Sequence, residues 1–223
     1  MSGGGRGLER FLKPPAGQAP GLARFLRAPR RAATRACEMC GVAIDEQHQH
    51  VVSLEERTLM CTCRACYLLF THEGAARGKY RAVPDRLLHD PTPALDDAGW
   101  DELQVPVRIA FFFYNSELGR MAGFYPSPAG ATESLLPLGA WERLLRSNPM
   151  FAQAQADVEA ILLHRSPTGT EAFLVPIDVC YELVGLMRLY WKGFDGGEEA
   201  QRAIDAFLED LRTRSRSWQE RAS

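Results

Sequence analysis

Residues 37–66 read CEMCGVAIDEQHQHVVSLEERTLMCTCRAC and hold Cys37, Cys40, Cys61, Cys63 and Cys66, five of the six cysteines in the chain. Cys37 and Cys40 form one C-x-x-C pair and Cys63 and Cys66 another. The 22 residues between the pairs are enough for two short strands and a turn. A hairpin of that length brings the pairs together, and four thiolates then close a tetrahedral site of the kind that holds Zn²⁺ structurally. Clustering at this spacing points to metal ligation in a reducing compartment rather than to a disulfide framework.

The hairpin is legible in outline. Residues 48–54 and 58–63 alternate or run apolar as strands do, and Glu55-Glu56-Arg57 supplies a polar turn. If Leu54 pairs with Arg57, His50 falls opposite Cys61 and His48 opposite Cys63. The turn has no Asn-Gly or Asp-Gly, so that register is open to a slip of one residue. Gly41 follows Cys40, as suits a tight knuckle, whereas Tyr67 follows Cys66. A rubredoxin-like iron site uses two knuckles each followed by glycine, and the tyrosine departs from that pattern.

Cys61, His48 and His50 are further candidates. Cys61 could replace Cys63 as a ligand or form a second, lower-coordination site with His50 across the hairpin, and His48 could donate to a ligand sulfur. The competing reading makes the histidines exposed strand residues and Cys61 a small buried apolar group. Cys180, isolated on a helical stretch beside Val184 and Met187, reads as core.

The formal charge of −2 is unevenly spread. Residues 1–35 carry eight Arg or Lys against one Glu, which leaves the remaining 188 residues at −9. An acidic body repels polyanions, so nucleic-acid binding by a zinc ribbon is disfavoured, while the basic arm would attract an acidic partner. The arm repeats itself weakly, Gly7-Leu-Glu-Arg-Phe-Leu against Gly21-Leu-Ala-Arg-Phe-Leu. Gly and Pro surround both copies, so each is too short for a stable helix and the arm is expected to be disordered. Hydrophobic content of 46% and charged content of 24% are ordinary for a soluble protein, and no apolar run approaches a membrane span. A cytoplasmic location is expected.

Beyond the cysteines the pattern is that of an α+β domain. Residues 96–103 read as a helix, 105–114 and 120–125 as a hairpin, 126–132 as a loop, and 138–146 as an amphipathic helix. Residues 157–164 and 171–177 form a second hairpin around Ser166-Pro-Thr-Gly-Thr170. Two helices close the chain, the first capped by Asp178 and running to about Trp191, the second over 198–212. The expected organisation is a basic arm (1–35), a zinc-ribbon or rubredoxin-like knuckle module (36–90) and an antiparallel sheet with helices on one face (91–223). No catalytic motif is present: there is no G-x-S-x-G, no Walker A loop, no H-E-x-x-H and no dinucleotide fingerprint. The loop Ser127-Pro-Ala-Gly-Ala-Thr-Glu-Ser134 is polar and could offer N–H groups to an anion, or could simply be a turn.

The run Cys37 to Cys66, together with Phe124-Tyr-Pro-Ser-Pro-Ala-Gly-Ala-Thr-Glu-Ser134, Val175-Pro-Ile-Asp-Val-Cys-Tyr-Glu-Leu-Val-Gly185 and Trp191-Lys-Gly193, resembles an uncharacterised domain-of-unknown-function family. The similarity covers roughly residues 36–212. That family is found chiefly in actinobacteria, in gene clusters for high-affinity nickel–iron hydrogenases. The resemblance implies an accessory protein for hydrogenase assembly or complex formation, with hydrogenase subunits or maturation factors as partners. It supplies no catalytic residues, and leaves an iron electron carrier as the alternative within the same system.

Overall fold

The computed structural model describes residues 35–72, 74–127, 129–134, 143–146, 148–192 and 196–218. The basic arm, up to residue 34, lies outside them, as does the part of the expected 138–146 helix that precedes residue 143. Residues 143–146 are helical.

Strands β1 (Gln49–Ser53) and β2 (Thr58–Thr62) form the hairpin, followed by a short helix α1 (Arg64–Leu68), a 3-10 turn at Ala75–Gly78 and β3 (Tyr80–Ala82). The register matches expectation, with His50 opposite Cys61 and Ser53 opposite Thr58. What fixes it is not the turn. Arg57 adopts a φ of 53° there without a glycine. Instead β3 pairs with the other edge of β1, setting Val52 against Arg81, and the two faces of β1 enter different cores. Val51 packs with Tyr67 and Ala82, against Met39, Phe70 and Tyr80. Val52, on the opposite face, enters the main core with Val83. A one-residue slip would exchange those faces. Tyr67 and Phe70 therefore pack within this hairpin module itself, while Leu68 and Leu69 stay exposed.

The remaining strands are β4 (Leu88–Asp90), β5 (Ile109–Asn115), β6 (Arg120–Ser127), β7 (Gly130–Ser134), β8 (Glu159–Ser166), β9 (Gly169–Pro176) and β10 (Arg216–Ser217). They form one sheet in the order β10-β4-β9-β8-β5-β6-β7, antiparallel except for the short β10–β4 pair. Helix α2 (Asp97–Glu102) precedes β5, and α3 (Ile177–Tyr190) and α4 (Gly197–Arg214) follow β9.

The central strands read as unbroken apolar runs because the sheet is covered on both faces. Ile109, Phe111, Ala160, Leu162, Phe173 and Val175 point towards α3 and α4, where they meet Cys180, Leu183, Phe207 and Leu211. Their neighbours Ala110, Phe112, Ile161, Leu163, Ala172 and Leu174 meet Trp100, Leu103, Leu144, Met150 and Phe151. The expectation of helices on one face is thus corrected, since α2, residues 143–146 and residues 148–151 cover the other side. The expected loop over 126–132 is also corrected. It is the end of β6, a turn and the start of β7, with Pro126 opposite Ala131. The missing N–H of Pro126 costs no ladder bond to β5, because β5 pairs with β6 only as far as Phe124.

Asp178 is not the cap of α3; Pro176 occupies that position. The Asp178 side chain reaches back to the hairpin module, as described below. Cys180 is core, as read, and burial pushes its thiol well up.

Candidate metal centre

The first pair of cysteines sits on a tight turn. Cys37 N–H donates to the Val42 carbonyl at 2.8 Å, Gly41 N–H donates to the Cys37 carbonyl at 2.8 Å, and Gly41 takes a φ of +76° that only glycine adopts without strain. Glu38 clips this turn onto β2: its N–H donates to the Cys61 carbonyl at 2.9 Å, and its carboxylate accepts from Cys61 N–H.

The second pair does not form a matching turn. Cys63 is the N-cap of α1, in extended conformation, and its sulfur accepts the N–H of Cys66 at 3.5 Å. Tyr67 N–H donates to the Cys63 carbonyl at 2.9 Å, so position 67 is helical and has no need of glycine. The departure at Tyr67 reflects a helix start in place of a second knuckle.

These elements bring Cys37, Cys40, Cys63 and Cys66 together, with all four sulfurs within 4.8 Å of one another. Cys40 Sγ lies 3.7 Å from Cys63 Sγ. With metal–sulfur bonds of about 2.3 Å, a tetrahedral zinc site has sulfur–sulfur edges of about 3.8 Å. Cys37 is buried, Cys63 and Cys66 are half-buried and Cys40 is exposed.

The thiols of the cluster influence one another's ionisation. Burial pushes the Cys37 thiol up, but backbone hydrogen bonds from Cys63, Cys40 and Met39 bring it down to about 6. The Cys66 thiol is pushed up to about 12, first by Cys40 beside it, then by burial and by Cys63 and Cys37. A Cys37 thiolate thus opposes ionisation of Cys66, and a cation bound among the sulfurs would offset that opposition. Four sulfurs at tetrahedral spacing, with backbone N–H groups already aimed at them, fit a closed metal site. A metal there would hold the knuckle, the hairpin and α1 in one arrangement.

A second group lies beside it. His48, His50 and Cys61 each offer a ligand atom within 4.8 Å of the others. His50 shares the β1 face that carries Val52, so it looks towards the main sheet, where its Nδ1 lies 2.8 Å from Asp178 Oδ2. His48 Nδ1 lies 2.9 Å from the carbonyls of both Asp45 and Glu46. Asp178 was not identifiable from sequence, because its pairing spans 128 positions and its place at a helix start has an ordinary explanation. His164 pairs with Glu171 at 2.9 Å. Between β6 and β7 the N–H of Ala129 donates to Ser127 Oγ at 3.2 Å and the Thr132 hydroxyl donates to the same oxygen at 2.9 Å, bonds that brace a turn.

Among the described residues no helix is long and apolar enough to cross a membrane. Comparison with curated proteins and with solved structures returns no match. Residues 36–215 match the model of DUF5947, a family of unknown function, and span the hairpin, the cysteine cluster and the sheet with its helices; the chain belongs to that family.

Proposed function

We infer that the protein is a non-catalytic accessory factor in which Zn²⁺, held by Cys37, Cys40, Cys63 and Cys66, fixes a surface for a protein partner. The observation that carries this reading is the dressing of the cysteine cluster. Val42, one residue beyond the glycine that follows the first pair, and Leu68 and Leu69, just past the Tyr67 that follows the second, are 51%, 51% and 66% exposed. Apolar side chains held outward on both walls of a rigid site suit recognition better than chemistry. The resemblance set out above directs the partner search to the nickel–iron hydrogenase system, to its subunits or maturation factors in the cytoplasm, and the basic arm would steer an acidic partner.

Co-purification from the native host tests the reading. Hydrogenase subunits or maturation factors should be retained by the full chain, and lost on removal of residues 1–35 or on the double change Leu68→Ser, Leu69→Ser. Normal hydrogenase activity in a deletion strain would sink it. A rubredoxin-like iron carrier is the second reading, favoured by the exposure of Cys40, which would let electrons leave the centre. It requires red protein with visible bands that bleach reversibly on reduction.

A further inference from the structure

We propose that His48, His50 and Cys61 form a second metal site, distinct from the four-cysteine centre, that takes a divalent transition ion of the zinc type at three protein ligands and leaves a fourth position open.

The argument begins with proton placement. Carbonyl oxygens only accept hydrogen bonds, so His48, with Nδ1 at 2.9 Å from the Asp45 and Glu46 carbonyls, carries its proton on Nδ1. Its Nε2 then presents a lone pair, and that atom is buried with no hydrogen-bond partner. A buried acceptor without a donor is costly, and a cation satisfies it. His50 is oriented in the same sense. Its Nδ1 faces the Asp178 carboxylate at 2.8 Å, which also fixes the proton on Nδ1 and leaves the ligating lone pair on Nε2. A carboxylate behind the distal nitrogen of a histidine is the usual support of a metal-bound imidazole. Both ring orientations are therefore set in advance.

The hairpin register supplies the third ligand, since Cys61 lies directly across from His50. The backbone of Cys61 is clamped on both sides by Glu38, which holds its position on β2. One thiol proton serves at most one imidazole lone pair, whereas a metal ion serves both and the sulfur at once. Two nitrogens and one thiolate suit Zn²⁺ and its neighbours better than Ca²⁺ or Mg²⁺, which prefer oxygen. All three residues are part-exposed, which leaves an ion held by them within reach of solvent and so exchangeable. In the four-cysteine centre, by contrast, protein donors fill every position. Asp178 acts as a positioning residue, and through it the ion couples the hairpin to the start of α3.

Cobalt(II) added to the full-length protein as purified is the direct probe. Thiolate-to-cobalt charge transfer and visible ligand-field bands should saturate at one added equivalent per chain. His48→Gln and Cys61→Ala should each abolish them. Asp178→Asn should weaken cobalt binding by about 10- to 100-fold without shifting the far-ultraviolet circular dichroism spectrum. Bands that persist in His48→Gln or Cys61→Ala would place the cobalt elsewhere and overturn the proposal. A variant-free check guards against misfolding: in long-range ¹H–¹⁵N spectra of the wild-type protein, added Zn²⁺ should shift Nε2 of both His48 and His50 while Nδ1 stays protonated. Unmoved Nε2 signals would equally overturn it. The result is independent of the hydrogenase reading, which stands or falls on co-purification.

Discussion

Replacing Arg86 with alanine removes the guanidinium from a carboxylate that water cannot reach. Glu159 opens β8 and its side chain is fully buried. Arg86 grips it with two parallel bonds, Nε to Oε1 at 2.9 Å and Nη2 to Oε2 at 2.6 Å, and the Gln155 N–H adds a third at 2.9 Å. Breaking a buried pair by deleting one partner costs about 3–5 kcal/mol. The Arg86 side chain is 35% exposed, so water partly replaces it and the lower end, about 3 kcal/mol, applies. For a chain of this size that corresponds to a fall of about 6–12 °C in melting temperature. Circular dichroism melts of matched metal-loaded samples measure it. Adding Glu159→Gln to the Arg86→Ala protein removes the stranded charge and should recover at least half the loss, while Arg86→Lys should fall between, since it keeps the charge but not the fork. A melting temperature within about 2 °C of wild type for Arg86→Ala, or a double variant no better than the single, would refute the reasoning.

Glu171 predicts an acid limb in the stability profile. Burial alone would raise its carboxyl, but His164 and the Arg212 fork hold it at about 2 against an ordinary 4.5. A depressed folded value means the stabilisation is complete above about pH 4.5 and is lost as pH falls towards 2, an amount on the order of 3 kcal/mol. Urea midpoints at pH 5 and pH 2.5 should diverge less in Glu171→Gln, and equal divergence would contradict the assignment. Asp96 caps α2 by accepting the Gly99 N–H at 2.8 Å. Asp96→Ala should cost about 1 kcal/mol, a shift of about 2–4 °C in the same melts.

Local features of this chain were legible because their causes are local. The two C-x-x-C pairs, the hairpin between them, the short helix read over 96–103 and the Ser166–Thr170 turn each rest on residues a few positions apart. The sequence points to the His50–Cys61 register that the hairpin adopts, yet the turn that suggests it is a poor determinant; β3 and the burial of Val52 hold it in place. What stayed hidden depends on distant partners. Glu159 looks like any acidic residue at a strand start until Arg86, 73 positions earlier, folds over it. Asp178 sits in the first turn of α3, where its Oδ1 accepts the Val179 N–H at 2.9 Å, and its other oxygen partners His50, which only tertiary structure shows. Tyr67 broke the expected knuckle pattern because Cys63 begins a helix, a distinction that spacing alone does not encode. Proline and glycine, ordinarily breakers, point to a loop over 126–132, yet they sit where β6 has already parted from β5 and pairs with β7.

Metal content is the most direct test of the central claim that four cysteines form a zinc staple. Protein expressed without added metal should be colourless and contain zinc by mass spectrometry. The double variant Cys37→Ser, Cys63→Ser should lose one equivalent per chain, together with the fold of the hairpin module. Iron with visible absorption bands, or a double variant that keeps both its metal and its fold, would contradict the account.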